Sequence, residues 1–195
     1  MDESYKFSIQ NDKCNIECAV RPVWHGKYEP VNADKVLFLD DLVCSELNSH
    51  PYTELVLKIS VSDGVKFTYA FLGCGFGAQA VLNGTLLAVL IGNLFSIVDL
   101  FEGSVIVSKN LDASNTCFAL GLLKDGYIAV TETDVIKLDF SGNVVWSAGG
   151  ADIFFNWQAE NPTAYILTDE YIELYDFNGM LYRFDLKDGR VLLAR

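Results

Sequence analysis

The sequence predicts a mostly all-β protein, built from propeller-like or stacked antiparallel β-hairpin repeats with one short helix near the N-terminus. Three observations lead to this prediction. Many short apolar and β-branched runs alternate with turns rich in Gly, Asp and Asn. Sequence signals for helices are scarce. Similar turns recur about every 40 residues, a spacing typical of the blades of a β-propeller.

The first 52 residues are predicted to form a divergent N-terminal segment. Residues 6–10 and 14–20 are β-type runs that can pair across the turn-rich residues 11–13. Residues 21–33 contain two prolines and a glycine and are predicted to be a loop. In residues 34–47 the apolar side chains recur near helical spacing, and the Asn-Ser-His-Pro sequence that follows would end a helix. The short run Val-Leu-Phe-Leu inside this stretch could equally be a strand.

Residues 53–195 are predicted to be the repeat region, and the chain to form one compact domain. A glycine lies between two strands at Gly64, Gly103, Gly142 and Gly179, at intervals of 39, 39 and 37 residues. A second assignment puts the last turn at Gly189, 47 residues after Gly142. A plain β-sandwich or meander with hairpins of similar length is the alternative architecture.

Two stretches of sequence resemble the repeats of quinoprotein-type and WD40-type propellers. Residues 136–146 (IKLDFSGNVVW) and 182–193 (YRFDLKDGRVLL) are similar to the unit in which a strand, Leu-Asp, a turn glycine, a second strand and a tryptophan follow one another. Trp146 occupies the position of the quinoprotein-type tryptophan. The Trp-Asp and Gly-His markers of WD40 repeats are absent. The resemblance covers residues 53–195 and implies a propeller-like fold.

Composition excludes several classes of partner. The 195 residues carry a net charge of −12, so nucleic acid and anionic membrane surfaces are not expected partners. The uncharged stretch between Lys66 and Asp99 is interrupted by Gly, Asn and Gln and does not predict a membrane span. Because the N-terminus lacks a basic start followed by an apolar run, we expect a cytoplasmic protein.

No residue pattern indicates a metal or a cofactor. The five cysteines form an odd set without paired spacing, which favours reduced, buried thiols. Cys14 and Cys18 could be combined with His25 and His50 as zinc ligands, but the spacing is unlike that of zinc sites. The glycines of residues 73–78 do not follow the dinucleotide-binding spacing. We therefore predict no metal and no cofactor.

Catalytic signatures are also missing, so the chain is predicted not to be an enzyme. There is no Gly-x-Ser-x-Gly elbow and no phosphate-binding loop. The alternative is an enzyme or small-ligand binder that uses the centre of the β-stack, with Trp24, His25 and His50 at its mouth.

The acidic residues are concentrated in one region of the sequence. Between Asp99 and Asp176 there are thirteen Asp and Glu residues against three lysines. The turns at residues 131–134 and 168–170 would lie at one end of the stack if they are equivalent in successive repeats. Alternation along residues 171–177 places the two tyrosines and the glutamate opposite Ile172 and Leu174, so they are exposed if the Ile/Leu face is core.

These features predict a non-enzymatic protein whose acidic surface binds a basic protein. The candidate binding residues combine carboxylates with aromatic anchors; they are Glu132, Asp134, Trp157, Asp169, Glu170, Tyr171, Glu173 and Tyr175. Size, charge and missing catalytic motifs are similar to those of immunity proteins that neutralise nuclease toxins. A propeller-like scaffold subunit is an alternative, and the acidity also has a simpler interpretation as an aid to solubility.

Overall fold

A computed structural model describes residues 5–10, 14–23, 33–38, 52–61, 66–74, 77–111, 113 and 116–195. These residues form seventeen β-strands in four sheets, and no helix occurs among them. None of the described segments is therefore a helix long and apolar enough to cross a membrane. The predicted all-β class is confirmed.

Sheet 1 contains five strands in the order β1-β2-β4-β5-β3. Its strands are β1 (Tyr5–Gln10), β2 (Cys14–Val23), β3 (Lys35–Phe38), β4 (Tyr52–Val61) and β5 (Lys66–Cys74). The predicted N-terminal hairpin is confirmed, since β1 and β2 pair antiparallel. Strands from both sides of residue 52 share this sheet.

The helix predicted over residues 34–47 is wrong where the structure describes it. Lys35–Phe38 is a strand that pairs in parallel with β5, and Leu37 packs against the core of sheet 1. The apolar Val-Leu-Phe run fits the edge of a sheet as well as a helix face, and pairing with a distant strand decides between them. Residues 39–47 lie outside the described residues, as does most of the predicted loop at 21–33.

Sheets 2, 3 and 4 are each a four-stranded antiparallel meander. Sheet 2 comprises β6 (Ala78–Asn83), β7 (Leu86–Ile91), β8 (Leu94–Asp99) and β9 (Ser104–Asn110). Sheet 3 comprises β10 (Cys117–Leu123), β11 (Gly126–Thr131), β12 (Asp134–Leu138) and β13 (Val144–Gly149). Sheet 4 comprises β14 (Tyr165–Leu167), β15 (Tyr171–Tyr175), β16 (Leu181–Asp185) and β17 (Val191–Ala194).

The four sheets stack face to face in chain order, and an apolar core lies between each pair. Ile16 and Phe71 of sheet 1 share a cluster with Leu87 of sheet 2. A second cluster joins sheets 2 and 3, and a third joins sheets 3 and 4. Central strands such as β7 and β11 are buried almost throughout because each touches a sheet on both faces. This arrangement is propeller-like and differs from the two sheets of a sandwich.

One contact recurs between successive sheets. The turn before the last strand of sheets 2, 3 and 4 contains Gly103, Gly142 and Gly189, with φ angles of 58°, 79° and 72°. Each of these glycines packs against the preceding sheet: Gly103 on Lys35 and Tyr69, Gly142 on Phe95 and Val107, and Gly189 on Trp146. A Cβ atom on Gly189 would lie 2.7 Å from the Trp146 ring, so only glycine fits there.

This contact decides between the two repeat assignments. Gly189, not Gly179, is the equivalent of Gly142, because Gly179 lies between the second and third strands of sheet 4 and has nothing within 4 Å of its Cβ position. The interval of 37 residues was therefore wrong, and the alternative interval of 47 residues is confirmed. Gly64 lies outside the described residues.

Side-chain hydrogen bonds strengthen the same joints between sheets. The Tyr69 hydroxyl donates to the Leu100 carbonyl at 2.9 Å, and Trp146 Nε1 donates to the Leu186 carbonyl at 3.1 Å. Lys137 Nζ donates to the same Leu186 carbonyl at 3.0 Å and to Asp125 at 2.8 Å. Sheet 4 is thus held to sheet 3 by polar as well as apolar contacts.

Candidate protein-binding surfaces

The stack has two different ends. At the hairpin end lie the turns that join the first strand to the second and the third to the fourth: residues 124–125 and 139–143 in sheet 3, and 168–170 and 186–190 in sheet 4. At the linker end lie the turns between the second and third strands, at 132–133 and 176–180, together with the connection between sheets 3 and 4 at 150–164. Phe177 N donates to the Ile153 carbonyl at 2.8 Å, which ties two of the linker-end segments together.

The predicted acidic residues do not share one end. Glu132 and Asp134 lie at the linker end, whereas Asp169 and Glu170 lie at the hairpin end. The expectation that they are equivalent was wrong, because residues 131–134 join the second and third strands of sheet 3, whereas residues 168–170 join the first and second strands of sheet 4. Successive turns in a meander point to opposite ends.

The hairpin end carries charges of both signs. Lys124 Nζ lies 2.5 Å from Asp169, and the buried Lys137 pairs with Asp125. A groove of about 1050 Å³ runs between sheets 3 and 4 here, and its lining includes Lys187 and Glu170 as well as leucines. The acidic groups at this end are thus offset by nearby cations.

Several acidic side chains form turns. Asp139 Oδ1 accepts hydrogen bonds from the backbone N–H groups of Ser141 and Asn143, each at 2.8 Å. Asp99 and Asp185 bond in the same way to the backbone of the equivalent turns. The buried Asp176 accepts from Asn178 N and Met180 N, each at 2.9 Å. Part of the acidity of residues 99–176 therefore serves the fold, as Asp commonly does in turns.

The linker-end segments of sheets 3 and 4 are acidic and aromatic, although Arg195 lies beside them, because its backbone bonds to Leu181 next to Met180. Residues 132–134, 150–164 and 176–180 contain five Asp and Glu residues and no Lys or Arg. Trp157 is 59% exposed and lies 6.5 Å from the ring of Phe177, which is 43% exposed. Met180 and Tyr175 are also exposed. We call this set of segments the acidic-aromatic surface.

Sequence reasoning found Trp157 but missed Phe177, Met180 and Glu160 on this surface. The sequence pattern matched the turn at 176–180 to the turn at 139–143, which lies at the other end of its sheet. Residues 150–164 have no hydrophobic period, and only the backbone bonds of the folded chain bring them beside that turn. The local signal available was the paucity of cations in these segments.

Tyr171, Glu173 and Tyr175 lie on the outer face of sheet 4. Their predicted alternation is confirmed, since Ile172 and Leu174 are buried against sheet 3. Glu173 Oε2 accepts from Arg183 Nη2 at 2.5 Å and from Arg183 Nε at 2.9 Å. The Arg183 guanidinium also lies 4.3 Å from the centre of the Tyr171 ring, so Glu173 is already paired with a cation.

The described thiols are buried and protonated. Cys18 and Cys117 are free cysteines, and burial raises the pKa of each to about 12. No group of three potential metal-ligating side chains occurs within the described ranges. Trp24, His25 and His50, the residues of the enzyme alternative, lie outside those ranges, as does the Cys14 side chain.

The comparisons with known proteins show likeness of fold alone. No protein-family model matches the chain, and no curated protein matches it. BamB from Moraxella catarrhalis is 12% identical with a TM-score of 0.53, over 100% of this chain and 66% of that one. The AfRom2 CNH domain is 10% identical with a TM-score of 0.53, over 98% and 53%. The computationally designed Ika4 protein is 11% identical with a TM-score of 0.51, over 63% and 74%.

These neighbours place the chain in a structural class. It is a propeller-like all-β protein, which agrees with the resemblance carried by residues 136–146 and 182–193. The chain spans about two thirds of the length of BamB and about half that of the CNH domain chain. At these identities the likeness says nothing about activity or partners.

Proposed function

We propose that the protein is a non-enzymatic binding protein whose acidic-aromatic surface takes a basic protein partner. The observation that carries this proposal is the exposed pair Trp157 and Phe177, set among segments that contain carboxylates and no cations. Exposed aromatic side chains in contact with each other are typical of the centre of a protein interface.

The two components of the surface have different roles in binding. The Trp157 and Phe177 rings supply large apolar area at the centre, and truncation of such an anchor typically costs about 2 kcal/mol or more of binding free energy. Glu132, Asp134 and Glu160 supply negative potential, which speeds the encounter with a basic partner and disfavours acidic ones. We expect salt to slow association more than it affects dissociation.

The acidity of the hairpin end supports binding less well. Asp169 and Asp125 are already paired with Lys124 and Lys137, and Lys187 lies in the same groove. Of the eight residues predicted from the sequence, the proposal therefore keeps Glu132, Asp134, Trp157 and Tyr175 as contacts. An immunity protein against a nuclease toxin is one function of this kind, and that narrower proposal rests on size and charge alone.

The proposal is tested by matched charge reversal. The first variant carries Glu132→Lys, Asp134→Lys and Glu160→Lys at the linker end. The control carries Glu102→Lys, Asp169→Lys and Glu170→Lys at the hairpin end, so its net charge is the same. Both are measured by biolayer interferometry against a panel of purified basic proteins that includes nuclease domains, with acidic proteins as the negative set.

We expect at least one basic protein to bind, and the linker-end variant to lose that binding by about tenfold or more while the hairpin-end control keeps it. Trp157→Ala should weaken the same complex through faster dissociation. An equal loss in both triple variants would reduce the effect to net charge and contradict the proposal. Failure of every basic protein in the panel to bind would contradict it as well.

A further inference from the structure

The outer face of sheet 4 has an equivalent in each of the two sheets before it. In each sheet, one row of residues that pair between neighbouring strands runs from the first strand to the fourth. The last residue of the row lies four positions after the glycine of the turn before the fourth strand. The rows are Val81-Ala88-Ile97-Val107 in sheet 2, Gly121-Ile128-Lys137-Trp146 in sheet 3 and Ile166-Glu173-Arg183-Leu193 in sheet 4. Residues in one row point to the same face of their sheet.

In sheets 2 and 3 the following sheet covers this row. All four residues of the sheet 2 row belong to the core shared with sheet 3 or pack against it. Val107 also contacts Gly142 in a turn of sheet 3. In sheet 3, Trp146 and Lys137 both bond to the Leu186 carbonyl of sheet 4. The row is thus the surface on which each sheet receives its neighbour.

No further sheet covers the row of sheet 4 among the described residues, although residues 156–164 border its Ile166 and Glu173. Ile166 is 56% exposed, and Leu193 is half-buried. Residues 156–164 border the face near Tyr175 and leave a hollow of about 190 Å³ beside Glu173. Arg183 occupies the position of Lys137, the residue that in sheet 3 donates to the next sheet.

The outer face of sheet 1, the first sheet of the stack, is different. The outward side chains of β1 and β2 in sheet 1 are polar, with Ser8, Gln10, Asn15 and Glu17 exposed. Stacked-repeat proteins use a polar outer face of this kind to end the stack in water. Sheet 1 is therefore capped along these strands, while sheet 4 presents an apolar and paired-charge face.

We propose that the outer face of sheet 4 binds a second copy of this chain through the same face. From β14 to β17, the residues of the row are apolar (Ile166), negative (Glu173), positive (Arg183) and apolar (Leu193). A two-fold axis between β15 and β16, parallel to the strands, reverses this order in the second copy. Ile166 then meets Leu193 of the other copy, and the bonded pair of Glu173 and Arg183 in one copy lies antiparallel to the same pair in the other, so the face is complementary to itself.

The area of the face sets the strength of this contact. The four strands of sheet 4 are three to five residues long and about 4.8 Å apart, so the face spans roughly 300 Å² in projection. This is less than the roughly 800 Å² per partner of a standard stable interface, so we expect a weak, reversible dimer that forms only at high protein concentration.

Sedimentation velocity between about 5 and 500 µM tests the proposal. The wild-type chain should shift from monomer to dimer over this range, and Ile166→Lys should remove the shift. The matched control is Ile106→Lys, an equally exposed position on the outer strand of sheet 2, which should dimerise as wild type does. Circular dichroism and thermal unfolding confirm that both variants fold.

The two-fold geometry makes a sharper prediction. Leu193→Glu should also abolish the dimer alone, but an equal mixture of the Ile166→Lys chain and the Leu193→Glu chain should form a heterodimer, because the lysine and the glutamate then face each other. A wild-type chain that stays monomeric up to 500 µM overturns the proposal. So does a dimer that survives Ile166→Lys or a mixture that shows no rescue.

Discussion

The packing of the Trp146 ring on Gly189 predicts that a single methyl group at residue 189 destabilises the joint between sheets 3 and 4. Gly189 has a φ angle of 72°, so Gly189→Ala costs about 1–2 kcal/mol from the backbone alone. Its Cβ would also lie 2.7 Å from Trp146 Cε3, and overpacking of this kind costs about 1–3 kcal/mol more. The total expected loss is about 2–5 kcal/mol of the free energy of unfolding.

Gly179→Ala is the matched control for this prediction. Gly179 has a φ angle of 78° but nothing within 4 Å of its Cβ position, so only the backbone cost applies. Urea unfolding followed by tryptophan fluorescence should place the midpoint of Gly189→Ala lower than that of Gly179→Ala by roughly 1 M, given a slope of about 2 kcal/mol/M. In a Trp146→Leu background the two substitutions should cost the same. Equal midpoints in the wild-type background would refute the packing argument.

Three further predictions follow from single contacts. Asp125→Ala should cost about 1 kcal/mol, because Asp125 is 67% exposed and solvent screens its pairing with the buried Lys137 ammonium, and Lys137→Met should cost less than that, because it leaves no buried charge; urea unfolding measures both. Hydrogen bonds from Asn143 and Ser141 hold the pKa of Asp139 below its ordinary value of 3.8. The Asp139 carboxylate therefore stabilises the fold fully above pH 3.8, and this stabilisation is lost as the pH falls through the lower pKa of the folded state. The difference in urea midpoint between the wild type and Asp139→Ala should close as the pH drops from 5 to 2. Because burial raises the pKa of Cys117 to about 12, its thiol should resist iodoacetamide at pH 8 until urea unfolds the chain, as read by mass spectrometry, and fast labelling of the native state would contradict its burial.

The repeat could be predicted because its signals are local. Each turn between the third and fourth strands contains an aspartate that bonds to the backbone two to four residues later and a glycine with positive φ. Both residues are visible in the sequence. The local sequence does not distinguish Gly179 from Gly189, because an aspartate precedes each of them within four residues. Only the Trp146 ring of the neighbouring sheet distinguishes them.

Long-range pairing explains the other differences. The short run at Lys35–Phe38 has too few residues to show a period, and its parallel pairing with β5 depends on a strand more than 30 residues away. The shared outer face of Tyr171, Glu173 and Tyr175 could be predicted from alternation within β15, but of the three only Tyr175 is exposed, and the other two are half-buried. The pairing of Glu173 with Arg183 could not, because it depends on the register between β15 and β16.

The sequence predicted four residues of the acidic-aromatic surface, Glu132, Asp134, Trp157 and Tyr175, but the contact between its segments could not be predicted, for a similar reason. Residues 150–164 and 176–180 are brought together by backbone hydrogen bonds between segments without regular structure, such as that from Phe177 to Ile153. Net charge in the sequence indicated a basic partner, but only the alternation of turn direction separates the acidic segments of the linker end, which contain no Lys or Arg, from the mixed charges of the hairpin end.

Hydrogen–deuterium exchange of the complex with a basic protein found by the binding panel locates the binding surface on the chain. We expect protection of residues 150–164 and 176–180 on binding, with exchange in residues 168–170 and 186–190 unchanged. Protection confined to the hairpin-end turns would contradict the assignment of the binding surface to the linker end.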